Sequence, residues 1–273
     1  MLLQRVITAA VLAPLVILII LFAPSAVFAA VAAAVFLAAL WEWARLSGLK
    51  SAAWQVAWLV LAGGLFIGLW LLRDSVLTPI LLILGVAWWA LACVWLRHFA
   101  FGAAPTLENR ALKLLAGLFV VLPAWVAMVA IDARSTHGHG LTLLALVIVW
   151  SADIGAYFSG RAFGRRKLAP QVSPGKTWAG AYGALVAGAV VTTLSGWWLL
   201  DIRGAQLLGL GVLALVTVSA SIVGDLIESL MKRHAQVKDS GTMVPGHGGV
   251  MDRLDSVFAA LPVFAVGLLL LDL

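Results

Sequence analysis

Carboxylates are scarce in this chain: 12 in 273 residues, of which Asp225, Glu228, Asp239, Asp252 and Asp255 fall within one short stretch. A sixth, Asp153, lies inside the apolar run LVIVWSADIGAYFSGR. An ionisable group at membrane depth is costly, so such residues face a polar cavity or a partner. On a helix through SASIVGDLIESLMKR, Ser221, Asp225, Glu228, Ser229 and Lys232 follow i, i+4, i+7, i+8 and i+11, a single polar stripe. Gly224 lets another backbone or a ligand come close. Asp252 and Asp255 are i, i+3 and share a face. Carboxylates from two helix ends suit Mg²⁺, which takes one or two carboxylates, waters and substrate phosphates. Asp–Lys/Arg pairs capping helix ends account for the same spacing.

The chemistry of the other polar stretch is cationic. SGRAFGRRKLAPQVSPGKTWAG, 159–180, brings five basic residues, two prolines and several glycines together. SPGKT resembles part of a P-loop, but in the frame G-x-x-x-x-G-K-[ST] the first glycine is Pro170, and the surroundings read as membrane helix. What remains is a lysine and a hydroxyl, Lys176 and Thr177, at the start of a helix, where free N–H groups and the helix dipole bind anions. A loop that only sets topology is the alternative.

The elements that must carry these residues are membrane helices. The chain is 63% hydrophobic and 11% charged, with mean hydropathy +1.08, which excludes an ordinary soluble domain. Spans need about 20 mostly apolar residues. Nine are expected, near 6–23, 26–44, 53–72, 76–96, 113–131, 141–160, 178–200, 205–228 and 252–271, giving an all-α, polytopic integral membrane protein. The apolar run from Val6 exceeds a signal-peptide core and reads as a retained first helix containing Pro14. Residues 1–135 read as transmembrane helices with short connections, and 136–273 as a transmembrane catalytic region with polar loops 161–177 and 229–251. WEWARLSG, with Glu42 and Arg45 at i, i+3, reads as a span end meeting the interface. The single Cys93 reads as a small core residue. Trp41, Trp43, Trp150, Trp178, Trp197 and Trp198 fall near span ends and read as an interfacial belt. Ala184 and Gly188 have small-xxx-small spacing suited to close helix packing.

Charge orients this map. With the N-terminus in the cytoplasm, one side receives Arg5, Arg45, Lys50, Arg97, Arg110, Lys113, Arg161, Arg165, Arg166, Lys167, Lys176, Lys232, Arg233, Lys238 and Arg253; the other receives Arg73, Arg134 and Arg203. That asymmetry follows the positive-inside rule and puts both polar loops in the cytoplasm. It also accounts for the net charge of +6 without nucleic acid, since these groups face anionic headgroups or anionic substrates. Carboxylates for a divalent cation beside a basic, glycine-rich loop suit phosphoryl or nucleotidyl transfer, which depends on positioning and charge neutralisation.

SLMKRHAQVKDSGTMVPGHGGVMDRLDS, 229–256, resembles the signature of phosphatidate cytidylyltransferases (CDP-diacylglycerol synthases). The matching positions are Ser229, Lys232, Arg233, Lys238, Asp239, Pro245, Gly246, His247, Gly248, Gly249, Asp252, Arg253 and Asp255. SADIGAYFSGRAFG and KLAPQVSPGKTW are similar to other cytoplasmic segments of that family. Ala179 departs from it, standing where the family often has Glu. The resemblance implies CMP transfer from CTP to phosphatidate, with Mg²⁺ and room for a second cation, in a homodimer embedded among membrane lipids of a bacterial inner membrane. For this reaction the carboxylates read from the spacing are assigned as Asp225 and Asp252 to the metal, with Glu228 and Asp255 as further ligands or their supports. Lys176, Lys232, Arg233, Lys238 and Arg253 become the groups that neutralise phosphates. Asp153, Arg161, Ser173, Thr177, Ser229, Asp239, Gly246, His247, Gly248 and Gly249 become substrate contacts, with 244–251 as a tight turn. A CDP-alcohol phosphotransferase is disfavoured because its Asp-Gly-x-x-Ala-Arg opening is missing. A cation-coupled transporter is disfavoured because the polar residues gather at one end of one half.

Overall fold

A computed structural model describes residues 2–273; the side chains of Leu2, Leu3, Arg5, Val6 and Ala9 lie outside the described set. Among the described residues the helices are α1 (Leu2–Phe22), α2 (Ser25–Leu46), α3 (Ala52–Leu71), α4 (Leu77–Arg97), α5 (Leu107–Asp132), α6 (Gly138–Phe163), α7 (Trp178–Trp198), α8 (Gly204–His234) and α9 (Met251–Leu270). Eight of these, α2 to α9, are long and apolar enough to cross a membrane, and α1 adds a shorter apolar helix, Ala10–Phe22. The architecture is therefore the expected all-α polytopic one, with one addition: β1 (Lys167–Ala169) and β2 (Ser173–Thr177) form a small antiparallel hairpin.

Three helices run past their apolar cores, and the extensions of α6 and α8 carry candidate site residues. α5 starts at Leu107 because Thr106 caps it, its Oγ1 accepting from the Asn109 N–H at 3.3 Å. α6 continues to Phe163 and so holds Arg161 on a helix. α8 continues to His234, with Lys232, Arg233 and His234 in its last turn. Basic side chains there suit the partial negative charge at a helix C-terminus. The long loop is accordingly 235–250, shorter than the expected 229–251, and Lys232 and Arg233 are helical.

The core sits around α5 and α9, in which 67% of the most apolar window is buried, against 17% in α3 and 22% in α4. α9 is thus central, and α3 and α4 present their sides to lipid. Phe36 of α2 meets Phe258 of α9 edge-on at 4.9 Å. A side chain at Gly85 in α4 would strike Pro123 of α5 and Pro262 of α9. The two halves of the sequence therefore pack into one helical body. Gly188 on α7 admits Val218 of α8, and Gly155 on α6 admits Ala187 of α7, so small residues do bring these helices together. Two expectations fail. Cys93 is exposed on the outer face of α4. Trp43 is fully buried, its Nε1 donating to the Lys113 carbonyl at 2.7 Å, because the α2–α5 crossing reaches to the end of the bundle. Trp197 and Trp198 are exposed, as a belt requires.

Gly224 is the close-approach glycine anticipated above. A Cβ there would meet the Asp255 carbonyl oxygen, and Ala259 Cβ at 3.0 Å, so α8 and α9 touch backbone to backbone beside the carboxylates. We expect Gly224→Ala to lower stability by about 1–3 kcal/mol through overpacking. Gly63→Ala, where nothing lies within 4 Å, should be neutral or stabilising because alanine favours helix over glycine. Thermal unfolding in detergent checks both; equal melting temperatures for the two variants would refute the contact.

Candidate active site

The site forms at the end of the bundle where the loops 98–106, 164–177 and 235–250 meet. His234 Nε2 contacts the Phe99 carbonyl at 2.7 Å, and Arg233 Nε donates to the Val172 carbonyl at 3.1 Å. The second bond pins the hairpin turn to the end of α8. The hairpin places Thr177 as the N-cap of α7, its Oγ1 accepting from the Gly180 N–H at 3.2 Å. SPGKT is therefore a strand running directly into a helix, which corrects the expectation of membrane helix around it. Lys176, the penultimate residue of that strand, forms an ion pair with Asp225 of α8.

From Asp225 the polar stripe of α8 continues as anticipated. Ser229 Oγ donates to Asp225 Oδ1 at 3.3 Å. Glu228 is fully buried. Lys232 Nζ lies 2.5 Å from Glu228 Oε2 and 2.7 Å from Asp252 Oδ1, bridging α8 to α9. Asp225, Glu228 and Asp255 converge, each offering an oxygen within 4.8 Å of the others. Asp252, expected to pair with Asp225, is not a member of this trio. Asp252 reaches Glu228 through Lys232 with its Oδ1, and its Oδ2 is satisfied by protein donors, accepting from the Ser240 N–H at 3.0 Å, Ser240 Oγ at 3.0 Å and the Gly249 N–H at 2.8 Å.

The tight turn expected over 244–251 is confined to 244–249, since α9 begins at Met251. Gly246 and Gly248 have φ of +76° and +87°, the left-handed region that glycine adopts without penalty. The Val244 N–H donates to the Gly248 carbonyl at 2.9 Å, and the His247 N–H to the Val244 carbonyl at 2.9 Å. Protein side chains pack against Gly248 and Gly249. A Cβ on Gly248 would sit 2.7 Å from Asp252 Oδ2, and one on Gly249 would strike Ser240 and Glu42.

Beside the carboxylates lies a cavity of about 440 Å³. Its polar walls are Asp153 and Arg161 of α6, Lys176 and Thr177 of the hairpin, and Ser221 and Asp225 of α8. Small residues, among them Ala156, Ala181 and Ala184, line much of the rest, with Leu168 and Ile222. Of the other expected contacts, Ser173, Asp239, Gly246, His247, Gly248 and Gly249 lie outside this wall. Lys238 and Arg253 are exposed and also stand off it. Ala179, where the family often has Glu, lines a separate apolar groove with Phe163 and Tyr182, so a carboxylate there would stand apart from the trio.

Three participants escaped the sequence reading. Tyr157 lines the cavity and its hydroxyl accepts from Arg161 Nη1 at 3.1 Å; the signal was its i+4 place between Asp153 and Arg161. Ser256 lines the cavity from α9. Glu42 is fully buried and is bound to the loop and α9, where a span-end pair with Arg45 was expected. Its Oε2 accepts from Ser240 Oγ and from the Met251 N–H, both at 2.8 Å.

Comparison with known proteins now decides the family: the model of the cytidylyltransferase family matches residues 3–271. The chain belongs to that family. It is 44% identical over 265 residues to the phosphatidate cytidylyltransferase of Pseudomonas aeruginosa, covering 97% of this chain and 96% of the relative. It is 39% identical over 285 residues to the protein of the same name from Haemophilus influenzae, covering 97% and 98%. The Bacillus subtilis protein of that name matches over 137 residues at 41% identity, about half of either chain.

Lys232 is the counter-charge for two enclosed carboxylates, with side-chain exposures of 0% for Glu228 and 5% for Asp252. Removing one partner of a buried pair leaves a charge without compensation. Lys232→Met is expected to cost roughly 3–5 kcal/mol, and adding Glu228→Gln to it should recover part of the loss. Melting temperatures of the single and double variants measure this; an unaffected single variant would show that the bridge carries no stability.

Proposed function

We propose that this chain transfers CMP from CTP to phosphatidate, forming CDP-diacylglycerol and diphosphate for phospholipid synthesis. The observation that carries the reading is the convergence of Asp225, Glu228 and Asp255 beside a cavity walled by Lys176 and Arg161 at the end of a membrane-embedded bundle. The names of the two nearly full-length relatives support it. In this reaction an oxygen of the phosphatidate phosphate attacks the α-phosphorus of CTP. The new P–O bond forms as the bond to the bridging oxygen breaks, and diphosphate leaves with that electron pair. The nucleophile is already anionic near neutral pH, so the difficulty is holding anions together.

Mg²⁺ fits the trio on two grounds: three carboxylate oxygens within reach of one ion, and a buried Glu228 Oε1 with no hydrogen-bond partner. A buried polar atom without a partner is costly, and a hard cation takes oxygen ligands of this type. When bound there, Mg²⁺ would neutralise phosphate charge and stabilise charge developing on the leaving group. A second cation is a further element of the reading. Arg161 and Lys176, both in the cavity wall, are the cations that meet the phosphates, and Tyr157 orients Arg161. Arg233 acts at one remove by holding the hairpin that presents Lys176. The apolar wall of small residues suits the glycerol and upper acyl carbons of a lipid.

The distribution of Lys and Arg supports a cytoplasmic site in a bacterial inner membrane. The homodimer implied by the family resemblance belongs to the same reading.

Purified chain incubated with CTP, phosphatidate and Mg²⁺ should release diphosphate and lipid-linked CMP in equal amounts, and chelation should abolish both. Asp225→Asn is expected to lower kcat at least roughly a hundredfold, the scale for losing one electrostatic contributor at such a site, while the protein still inserts in the membrane. Folded wild-type protein that makes no product sinks the proposal.

A further inference from the structure

Glu42 stands 183 positions before Asp225 in the sequence, yet it is fully buried against the signature segment. One oxygen, Oε2, takes Ser240 Oγ–H and the Met251 N–H, both at 2.8 Å. Ser240 Oγ also stands 3.0 Å from Asp252 Oδ2, so a single hydroxyl proton is shared between two carboxylates. Asp252 then holds Lys232 at 2.7 Å, and Lys232 holds Glu228 at 2.5 Å. Glu228 is a member of the convergent trio. These contacts form one unbroken chain from α2 to the trio. Two glycines are shaped around it, since a Cβ on Gly241 or Gly249 would collide with the Glu42 carboxylate.

Simple anchoring of a loop does not require this arrangement. An apolar residue at position 42 could fill the same space against α9 without leaving a carboxylate to be satisfied. The carboxylate instead takes the first backbone N–H of α9, which has no partner within its own helix. It thereby fixes where α9 begins and where Asp252, one residue on, points.

We propose that Glu42 is a positioning residue for the transfer reaction: through Ser240 and the first turn of α9 it sets Asp252, and through Asp252 it aims Lys232 at Glu228. This rests on the function proposed above. Glu42 touches neither substrate, so its loss acts on the rate of the bound complex more than on binding.

The test uses the full chain in lipid nanodiscs, with kcat and both KM values measured beside amide hydrogen exchange over 238–252. Glu42→Ala should lower kcat tenfold or more with both KM values within threefold of wild type. Exchange should quicken at the Ser240, Gly249 and Met251 amides, which report local opening, and stay slow in α5 and α6. Glu42→Gln should stay within threefold of wild-type kcat, because its carbonyl oxygen accepts the same two bonds. Faster exchange with unchanged kcat would show a merely structural role and overturn the proposal; so would unchanged exchange, or a Gln variant as slow as the Ala variant. If Glu42→Ala does not fold, Ser240→Ala serves in its place, since it removes the hydroxyl that joins Glu42 to Asp252 while keeping the Met251 N–H bond to Glu42 and the Ser240 N–H bond to Asp252. Its kcat should fall at least threefold, and wild-type kcat there overturns the proposal. An inactive wild type removes the proposed function together with this inference, whereas an active wild type with an indifferent Glu42→Ala removes this inference alone.

Discussion

The structure depends on one ammonium group placed between two buried carboxylates. Glu228 and Asp252 come from helices that meet at Gly224, and neither has solvent to shield it. Without Lys232 one of them would have to take up a proton or be hydrated, because an unpaired charge in a medium of low dielectric is costly. With it, the two helices are tied at the level where the chemistry is proposed to occur. Charge burial of this kind is a poor source of stability, because desolvation offsets most of the Coulomb gain. Its effect is to fix geometry: Lys232 can satisfy both acids only if the register of α8 against α9 is correct.

That register also explains why α8 outlasts the membrane. A helix ending with its apolar run, near 228, would leave Lys232 on a loop with many conformations to lose. Carrying the helix to His234 keeps Asp225, Glu228, Ser229 and Lys232 in a stripe at fixed spacing and delivers Arg233 to the hairpin. The hairpin in turn presents Lys176 to Asp225. One helix extension thus sets both the acidic and the basic side of the site.

The periodic features were legible in the sequence. Apolar runs of membrane length gave the helices to within a few residues at most ends, because in lipid each backbone group must be satisfied within its own segment. The stripe on α8 and the close approach at Gly224 followed from helical spacing and residue size. What could not be read was which carboxylate meets which. Asp225 and Asp252 are chemically alike in sequence, and only the turn at 244–249 decides that Asp252 faces Ser240 and Gly249. Glu42 was opaque for a related reason. Its neighbour Arg45 offered a local partner, whereas its real partners lie about 200 residues away. The hairpin was missed because strands of 3 and 5 residues carry too few positions for alternation to show.

The acids at this end of the bundle therefore divide by what already satisfies them. Asp252 has an ammonium and three hydrogen-bond contacts from two residues, so a cation binding there would have to displace several good contacts. Glu228 Oε1 has no hydrogen-bond partner, Asp225 is held by Lys176 and a long bond from Ser229, and Asp255 Oδ1 accepts only the neighbouring Ser256 N–H. A cation entering the trio gains ligands at little cost in broken bonds. The same division gives the lysines different tasks. Lys232, enclosed between two acids, has no freedom to follow a substrate. Lys176 reaches Asp225 from the wall of an open cavity. In the proposed reaction, charge neutralised at Asp225 by a metal would release that ammonium toward an incoming phosphate, without rearranging the helices that hold the site.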